Sequence, residues 1–354
     1  MVSIVDVAQA AGVSIATVSR VLNNPGAVGK GTRERVLEVM ERLNYRPNPL
    51  AQGIRRSSSG VIGVIMPFLS PSFSGILSGI IEECARNGQS VVLSPGYRTQ
   101  EEEEGAISNL VNKPLDAVIY LPRHVGVPLR ELEYFREIPI VGVGRRTLGF
   151  SAPCVYSDNE KSGYLACRYL LSLGRLRPAF VAGLLVHREG EMPVHSREEF
   201  FALVKSPNAG AYIAADRFLG FRRALEEAGI PFRESQLILS GFNREKGMEA
   251  AREILMNKEM DGVVAPNDNS AIGMLQTFGE QGCQVPEDIS VVGFDDVPEA
   301  GIVTPALTTI HQQTGELGRQ AVGLVNRLLA GERDVEDVKV DVSLVTRGST
   351  CRKR

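Results

Sequence analysis

The stretch V-D-V-A-Q-A-A-G-V-S-I-A-T-V-S-R-V-L-N, running from Val5 to Asn23, carries two short helical periodicities separated by one glycine. Ser3 followed by Asp6 has the spacing of a capping box, with Asp in place of the usual Glu or Gln. Behind it Ile4, Val7, Ala8 and Ala11 recur at i, i+3, i+4 and i+7, so one stripe of the first helix is apolar. Gly12 ends it by supplying the left-handed backbone of a sharp turn. Ser14 is placed to cap a second helix from Ile15 to Asn23 that buries Val18, Val21 and Leu22 and leaves Ala16, Ser19, Arg20 and Asn23 opposite. Thr32 is placed to cap a third helix, with Val36, Val39, Met40 and Leu43 as its core face.

Two short helices joined by a tight turn, with a third behind, form the helix-turn-helix pattern, whose second helix fits the major groove of DNA. Arg20 on the uncommitted face has the reach for a bidentate contact to guanine or for a phosphate. A plain three-helix bundle is the competing reading, and charge argues against it. Residues 1–60 hold eight basic side chains (Arg20, Lys30, Arg33, Arg35, Arg42, Arg46, Arg55, Arg56) and four acidic ones (Asp6, Glu34, Glu38, Glu41), a net +4. The whole chain of 354 residues has Lys+Arg 39, Asp+Glu 42 and a net charge of -3, which leaves -7 for the remainder. A basic head on an acidic body suits a polyanion-binding module attached to something that avoids polyanions.

The wording of the head, continued by T-R-E-R-V (Thr32–Val36) and L-N-Y-R-P-N (Leu43–Asn48), resembles the lactose/galactose repressor (LacI/GalR-type) family of bacterial transcription regulators, and the resemblance runs along the chain. It implies that Ile15 and Ala16 select the operator, that Arg20 makes a base contact, and that Thr17, Ser19 and Asn23 position the DNA backbone. Ile15 and Ala16 offer no side-chain hydrogen bonds, so apolar contact with thymine methyls is the chemistry open to them.

Pro47 and Pro49 stop the third helix, and Leu50–Arg56 then leads into the polar run Ser57–Gly60. A segment this short, with Gly53 inside it, does not hold a helix alone, so a tether is one reading. The resemblance implies another: a hinge helix formed over the operator, with Ala51 facing the minor groove, Ile54 wedged between central base pairs, and Arg55 beside Arg56 neutralising phosphates.

From Val61 onward, short β-branched runs alternate with amphipathic stretches. The runs are Val61–Met66, Ser90–Leu93, Ala117–Leu121, Pro139–Val143, Ala179–Ala182, Leu237–Leu239, Gly262–Ala265 and Ile289–Gly293; the stretches include Ile76–Arg86, Lys161–Leu173, Phe221–Ala228 and Lys246–Leu255. That alternation means two Rossmann-like parallel-sheet units, with ligands beyond the carboxyl ends of the strands. The expected fold is thus a small all-α helix-turn-helix head plus an α/β body of two such subdomains, which by resemblance is periplasmic-binding-protein-like. The expected division is 1–46 for the head, 47–59 for the hinge and 60–354 for an effector-binding and dimerisation core. Within the core, subdomain one is expected at 60–157 and 312–341, and subdomain two at 158–311 and 342–354. The phrases P-S-F (Pro71–Phe73), R-F-L-G-F (Arg217–Phe221), N-D-N-S-A-I-G (Asn267–Gly273), I-S-V-V-G-F-D-D (Ile289–Asp296) and L-T-T-I (Leu307–Ile310) carry the resemblance through the body. It implies a polar effector clamp of Arg217, Asn267 and Asp295, an aromatic wall at Phe242, Gln312 between effector and subdomain crossing, and Phe73 lining the first subdomain's side. Taken singly, Arg217 also reads as a surface ion pair, Phe242 as core and Asp295 as a turn or cap.

Two departures stand out. Many relatives have V-D-R after the fourth strand, where this chain has Val143-Gly144-Arg145, and Leu184–Ala211 is longer than the connection usual there. The long segment contains His187, Glu189, Glu191, His195, Glu198 and Glu199, whose spacing fits no tetrahedral metal site; a lid or protein contact is the favoured role. Neither the phosphate-loop motif nor the G-x-S-x-G elbow occurs, Gly142–Thr147 is only half a dinucleotide fingerprint, and Glu101–Glu104 reads as a solvated helix start. The five cysteines are scattered with no C-x-x-C pair, and no apolar run has membrane-spanning length. These features imply a cytoplasmic homodimer, neither enzyme nor membrane protein, needing no cofactor and no metal. Its partners would be a pseudo-palindromic double-stranded DNA operator and a small-molecule effector, a sugar or other small polar metabolite. A regulator signalled by a docking protein, or a solute-binding protein or enzyme with an accessory DNA head, are the alternatives.

Overall fold

Residues 2–23, 25–45, 58–67, 70–122, 133–135, 137–145, 151–183, 196–257 and 259–353 are described by the computed structural model, less the side chains of residues 23, 25, 100 and 134. The chain divides into a unit ending at Gly60 and a unit beginning at Val61.

In the first unit, α1 (Ile4–Ala11), α2 (Ile15–Asn23) and α3 (Lys30–Arg42) pack around one apolar cluster. The capping box forms: the Ser3 amide donates to Asp6 Oδ2 at 2.8 Å, and the Asp6 amide donates to Ser3 Oγ at 3.4 Å. Gly12 closes α1 at φ 64 with its N–H donating to the Ala8 and Gln9 carbonyls. Ser14 Oγ accepts from the Thr17 amide at 3.1 Å and starts α2. Thr32 does not cap α3. That helix begins at Lys30, because the Thr32 and Arg33 amides both donate to the Gly29 carbonyl and the first turn is already closed. Val7, Val18 and Val36 meet at the centre, fully buried, each contributing about 1.5 kcal/mol or more of burial.

The second unit holds two six-stranded sheets. β1 (Val61–Ile65), β2 (Ser90–Leu93), β3 (Ala117–Tyr120), β4 (Ile140–Val143), β5 (Cys154–Ser157) and, late in the chain, β11 (Val338–Val340) form the first, in the order β11-β5-β4-β3-β1-β2, all parallel. β6 (Pro178–Gly183), β7 (Leu237–Ser240), β8 (Gly262–Val264), β9 (Ser290–Asp295), β10 (Thr308–His311) and β12 (Ser343–Val345) form the second, in the order β12-β10-β9-β8-β6-β7. β12 alone runs antiparallel, because the chain re-enters this sheet from the carboxyl end of β10, with His311 opposite Ser343. The chain therefore passes between sheets three times: after β5, after β10 and after β11.

The helices of this unit are α4 (Pro71–Arg86), α5 (Gln100–Val111), α6 (Asn159–Ser172), α7 (Arg197–Val204), α8 (Ile213–Glu227), α9 (Arg244–Met256), α10 (Asp268–Glu280), α11 (Pro298–Ile302) and α12 (Thr314–Leu329). They cover both faces of each sheet. In β1, Ile62 and Val64 enter the core shared with α4 and α12, while Ile65 enters the core on the α5 face. Three helix pairs approach closely through reciprocal glycines. A Cβ on Gly79 would lie 2.0 Å from the Gly315 carbonyl oxygen, one on Gly220 1.8 Å from that of Glu160, and one on Gly273 2.2 Å from that of Arg244. These contacts fix α4 to α12, α6 to α8, and α9 to α10.

Some details differ from the sequence reading. β5, β10, β11 and β12 escape it because they are short and carry polar or cysteine residues at their ends. α8 begins at Ile213, well before Phe221, and so places Arg217 on a helix. The Glu101–Glu104 run does start a helix, capped by Thr99 and Glu102, but Glu103 is fully buried and accepts from the Tyr120 hydroxyl at 2.7 Å. Helical geometry turns one residue of any four toward the sheet, and here the sheet offers a phenol.

Candidate functional site

On the head, α2 turns Val18 and Val21 into the core and leaves Ile15, Ala16 and Arg20 exposed, with Thr17 and Ser19 half-buried beside them. Ile15 is 40% exposed at the helix start. An apolar residue with no core to fill at the amino end of a helix, with the Arg20 cation in the last turn of the same helix, suits a groove that offers methyl groups and phosphates. The Thr17 hydroxyl is tied to Ser14 Oγ at 2.9 Å. The Asn23 side chain, and Ala51, Ile54 and Arg55, lie outside the described residues.

In the body, the carboxyl ends of β6, β8 and β9 carry the second site. Arg217 on α8 is buried, 5% exposed. Its Nε donates to Asn159 Oδ1 at 3.1 Å, its Nη1 donates to the Pro266 carbonyl at 2.7 Å, and its guanidinium lies 4.2 Å from the centre of the Phe294 ring. Burial pulls its pKa down to about 10, Asp295 opposes that, and the nearby Arg145 cation adds to it. Arg217 lines a narrow hollow with Ile213 and Ala214 of the same helix, Phe242, Pro266 and Phe294. Gly183 at the end of β6 makes room for the wall: a Cβ there would sit 2.6 Å from the Phe242 ring.

Asn267 belongs to this site through support. Its Oδ1 accepts from the Ser270 amide at 2.8 Å as the cap of α10, and its Nδ2 donates to the Phe242 carbonyl at 2.9 Å. Asp295 ends β9 at φ 110, and its Oδ1 accepts from Gln312 Nε2 at 2.6 Å. Burial raises its carboxyl to about 6, against the pull of Arg217, of the Ser72 hydroxyl and of Gln312. Ser72 comes from the first turn of α4, so the first subdomain reaches the second across the cleft at this carboxyl. Phe73, one residue on, packs half-buried against the first subdomain's core. The structure thus gathers Arg217, Phe242, Asn267, Asp295 and Gln312 into one neighbourhood. It adds Ser72, which lies inside the P-S-F phrase without being singled out there, and Asn159 and Gly183, which no motif marked; their roles exist only across strands and helices distant in sequence.

Beneath the cleft Asp268 is fully buried, accepting from the Thr309 hydroxyl at 2.5 Å and the Val297 amide at 2.9 Å. Burial, with Asp295 nearby, raises its pKa to about 8 from 3.8. Both raised carboxyls bind protons more readily folded than unfolded. Their contribution is fully present below about pH 4 and lost as pH rises through about 6 for Asp295 and about 8 for Asp268. Stability to urea is therefore expected to fall between pH 5 and pH 8.5, and Asp268→Asn to flatten that fall. An unchanged slope in the variant counts against the assignment.

Among the described residues, no group of three His, Cys, Asp or Glu side chains is placed to hold a metal ion, and no single helix is long and apolar enough to cross a membrane. Residues 184–195, with most of the acidic and histidine side chains of the long segment, lie outside the described residues; Glu199 caps α7 by accepting from the Ser196 amide at 3.0 Å.

Comparison with known proteins follows the same division. Residues 3–48 match the family described as bacterial regulatory proteins, lacI family, and residues 195–350 match a periplasmic binding protein-like domain. The HTH-type transcriptional regulator DegA of Bacillus subtilis is 31% identical over 354 residues, covering 98% of each chain. Catabolite control protein A of Priestia megaterium is 30% identical over 333 residues, covering 94% of this chain and 93% of that one. Among solved structures, the lac repressor dimer bound to operator and the anti-inducer ONPF superposes with a TM-score of 0.82 at 26% identity over 99% of each chain.

Proposed function

This chain belongs to the lacI family of bacterial regulatory proteins and is an effector-regulated, DNA-binding transcriptional repressor rather than an enzyme, and we propose which of its residues read DNA and which hold the effector. Ile15, Ala16 and Arg20 read base edges, Thr17, Ser19 and Asn23 set the helix against the phosphates, and Ala51, Ile54 and Arg55 engage the minor groove as a hinge helix. Two copies pair so that their recognition helices meet a pseudo-palindromic operator; two-fold symmetry in the protein matches two-fold symmetry in the site. The protein acts in the bacterial cytoplasm, where that DNA is.

One observation carries the effector reading: a buried arginine and an aromatic wall border a hollow at the strand ends of one subdomain, while a serine of the other reaches the carboxyl beside them. Arg217 and Phe242 contact the ligand. Asp295 and Gln312 form the latch beside the crossing after β10, and Asn267 holds Phe242 in place. Phe73 closes the first subdomain's side. A ligand that changes how the subdomains close alters the spacing of the two hinge segments, and so the free energy of forming the hinge helices on DNA.

Selection of duplexes from a random pool by the full-length protein, with and without a metabolite pool, tests this. A palindromic site whose recovery shifts with the pool is expected. A site indifferent to every pool transfers the signal to a docking protein, and no enriched site removes the DNA reading. In the same assay Arg20→Ala is expected to relax selectivity at one position of each half-site, with a loss of about 1–3 kcal/mol on the preferred base. Unchanged selectivity sinks the base contact.

A further inference from the structure

Three consecutive residues carry the chain out of β10 at the second crossing, and each is fastened to a different partner. His311 Nδ1 lies 3.0 Å from Asp296 Oδ2. Gln312, 8% exposed, donates from Nε2 to Asp295 Oδ1 at 2.6 Å. Gln313 donates from Nε2 to the Asp341 carbonyl at 2.9 Å, and Asp341 is the residue that follows β11, at the third crossing. Gln313 itself has φ 48, a left-handed conformation that a residue other than glycine keeps where its surroundings hold it.

The first crossing is tied to the third in turn. The Asp158 amide donates to the Val340 carbonyl at 3.0 Å, Lys339 Nζ lies 3.1 Å from Asp158 Oδ2, and Lys161 Nζ donates to Asp341 Oδ1 at 2.5 Å. Asp341 thus accepts from the second crossing on its carbonyl and from the first turn of α6 on its carboxylate. The first crossing also reaches the cleft: Asn159, 6% exposed, accepts on Oδ1 from Arg217 Nε at 3.1 Å, while its Nδ2 donates to the Ser157 carbonyl at 3.2 Å. A buried amide therefore joins each of two cleft residues to a crossing, Asn159 from Arg217 and Gln312 from Asp295. Closure of two domains is absorbed by backbone changes in a few hinge residues. Crossings without mutual bonds could take up that change one at a time. The bonds to Asp341 survive it only if the first and second crossings move with the third.

We propose that the three crossings work as one bonded hinge, with Asn159 and Gln312 carrying the state of the cleft into it and Asp341 joining its parts through Lys161 and Gln313. The inference rests on reading the cleft as the effector site and adds the positioning residues of its response; Lys161, Gln313 and Asp341 lie outside the lining of the hollow. The side-chain bonds to Asp341 are exposed, so they add little to stability and variants that lose them are expected to fold.

Hydrogen–deuterium exchange of the full-length protein, read by mass spectrometry on peptides covering the crossings, tests the hinge with no ligand present. Gln313→Asn loses the reach to Asp341 and keeps a residue that tolerates the left-handed region. It is expected to speed exchange about three- to tenfold at residues 154–162 as well as around itself. Lys161→Gln is expected to do the same at residues 308–316, and the double variant to fall short of the product of the two single effects. Arg327→Gln, which removes an exposed ion pair outside the hinge, is expected to change neither peptide. Faster exchange confined to the substituted crossing, spread evenly over the second unit, or multiplying fully in the double variant overturns the proposal. Operator titration supplies the functional readout, as the ratio of affinities without and with the metabolite pool. Both hinge variants are expected to lower the wild-type ratio by about threefold or more with urea unfolding unchanged. An unaltered ratio overturns the hinge's part in the response. A wild-type ratio of about 1 instead removes the effector reading, and exchange then still decides whether the crossings move as one.

Discussion

Gly220→Ala is expected to destabilise the second unit by about 3 kcal/mol or more, whereas Gly105→Ala is expected to stabilise it by about 0.5–1 kcal/mol. The chemical change is the same, and both glycines lie inside helices. At Gly105 an added methyl meets nothing within 4 Å, so alanine only reduces the freedom of the unfolded chain. At Gly220 it would stand 1.8 Å from the Glu160 carbonyl oxygen, while Gly163 on the partner helix faces the Arg217 carbonyl at the same 1.8 Å. Neither obstacle is a side chain that can swing away. α6 and α8 must part, and α8 carries Arg217, so effector binding should weaken along with the melting temperature. Urea unfolding of the two variants and the wild type checks the pair. Equal shifts in both would show that these helices tolerate separation and that the glycines do not set their distance.

Arg217→Ala is expected to abolish the effector response. The response is measured as the ratio of operator affinity without and with the metabolite pool, so a change in basal affinity cancels. For the wild type a ratio within the range of about 5–150 is expected from coupling energies of allosteric proteins; for the variant it should be about 1. The side chain does three things at once: it braces Asn159 at the start of α6, it caps the Pro266 carbonyl at the start of the Asn267 turn, and it stacks on Phe294. Removal therefore takes away the ligand's cationic contact and also loosens the strand ends that frame the hollow. Arg217→Lys separates these effects, keeping the charge while losing the fork that holds two oxygens together. A retained response in the alanine variant would move the effector elsewhere.

Much of this was legible in the chain itself. The helices of the head follow from the spacing of Val7, Ala8, Val18, Val21, Val36 and Val39, from the Ser3–Asp6 box and from Gly12, all local devices whose partners lie within four residues. The missed start of α3 is local too: Gly29 has no side chain to announce a cap, and Thr32 looks like one. In the body, the buried central strands are plain because both faces are apolar. The edge and crossing strands are not, since β11 and β12 have only three residues each and gain their order from neighbours already in place.

The division between sequence and tertiary structure follows the range of the forces. Periodicity, capping and charge act over a turn or two, so the chain alone determined a basic three-helix head with Arg20 on its free face and an alternating α/β body. The character of the cleft depends on groups brought together from positions far apart: Asn159 with Arg217, Ser72 with Asp295, Gly183 beneath Phe242. A sequence shows that Asn267 and Asp295 are polar. Only the fold decides that Asn267 spends its amide on α10 and the Phe242 carbonyl, that Asp295 is held by Gln312 and Ser72, and that Arg217 is buried beside them.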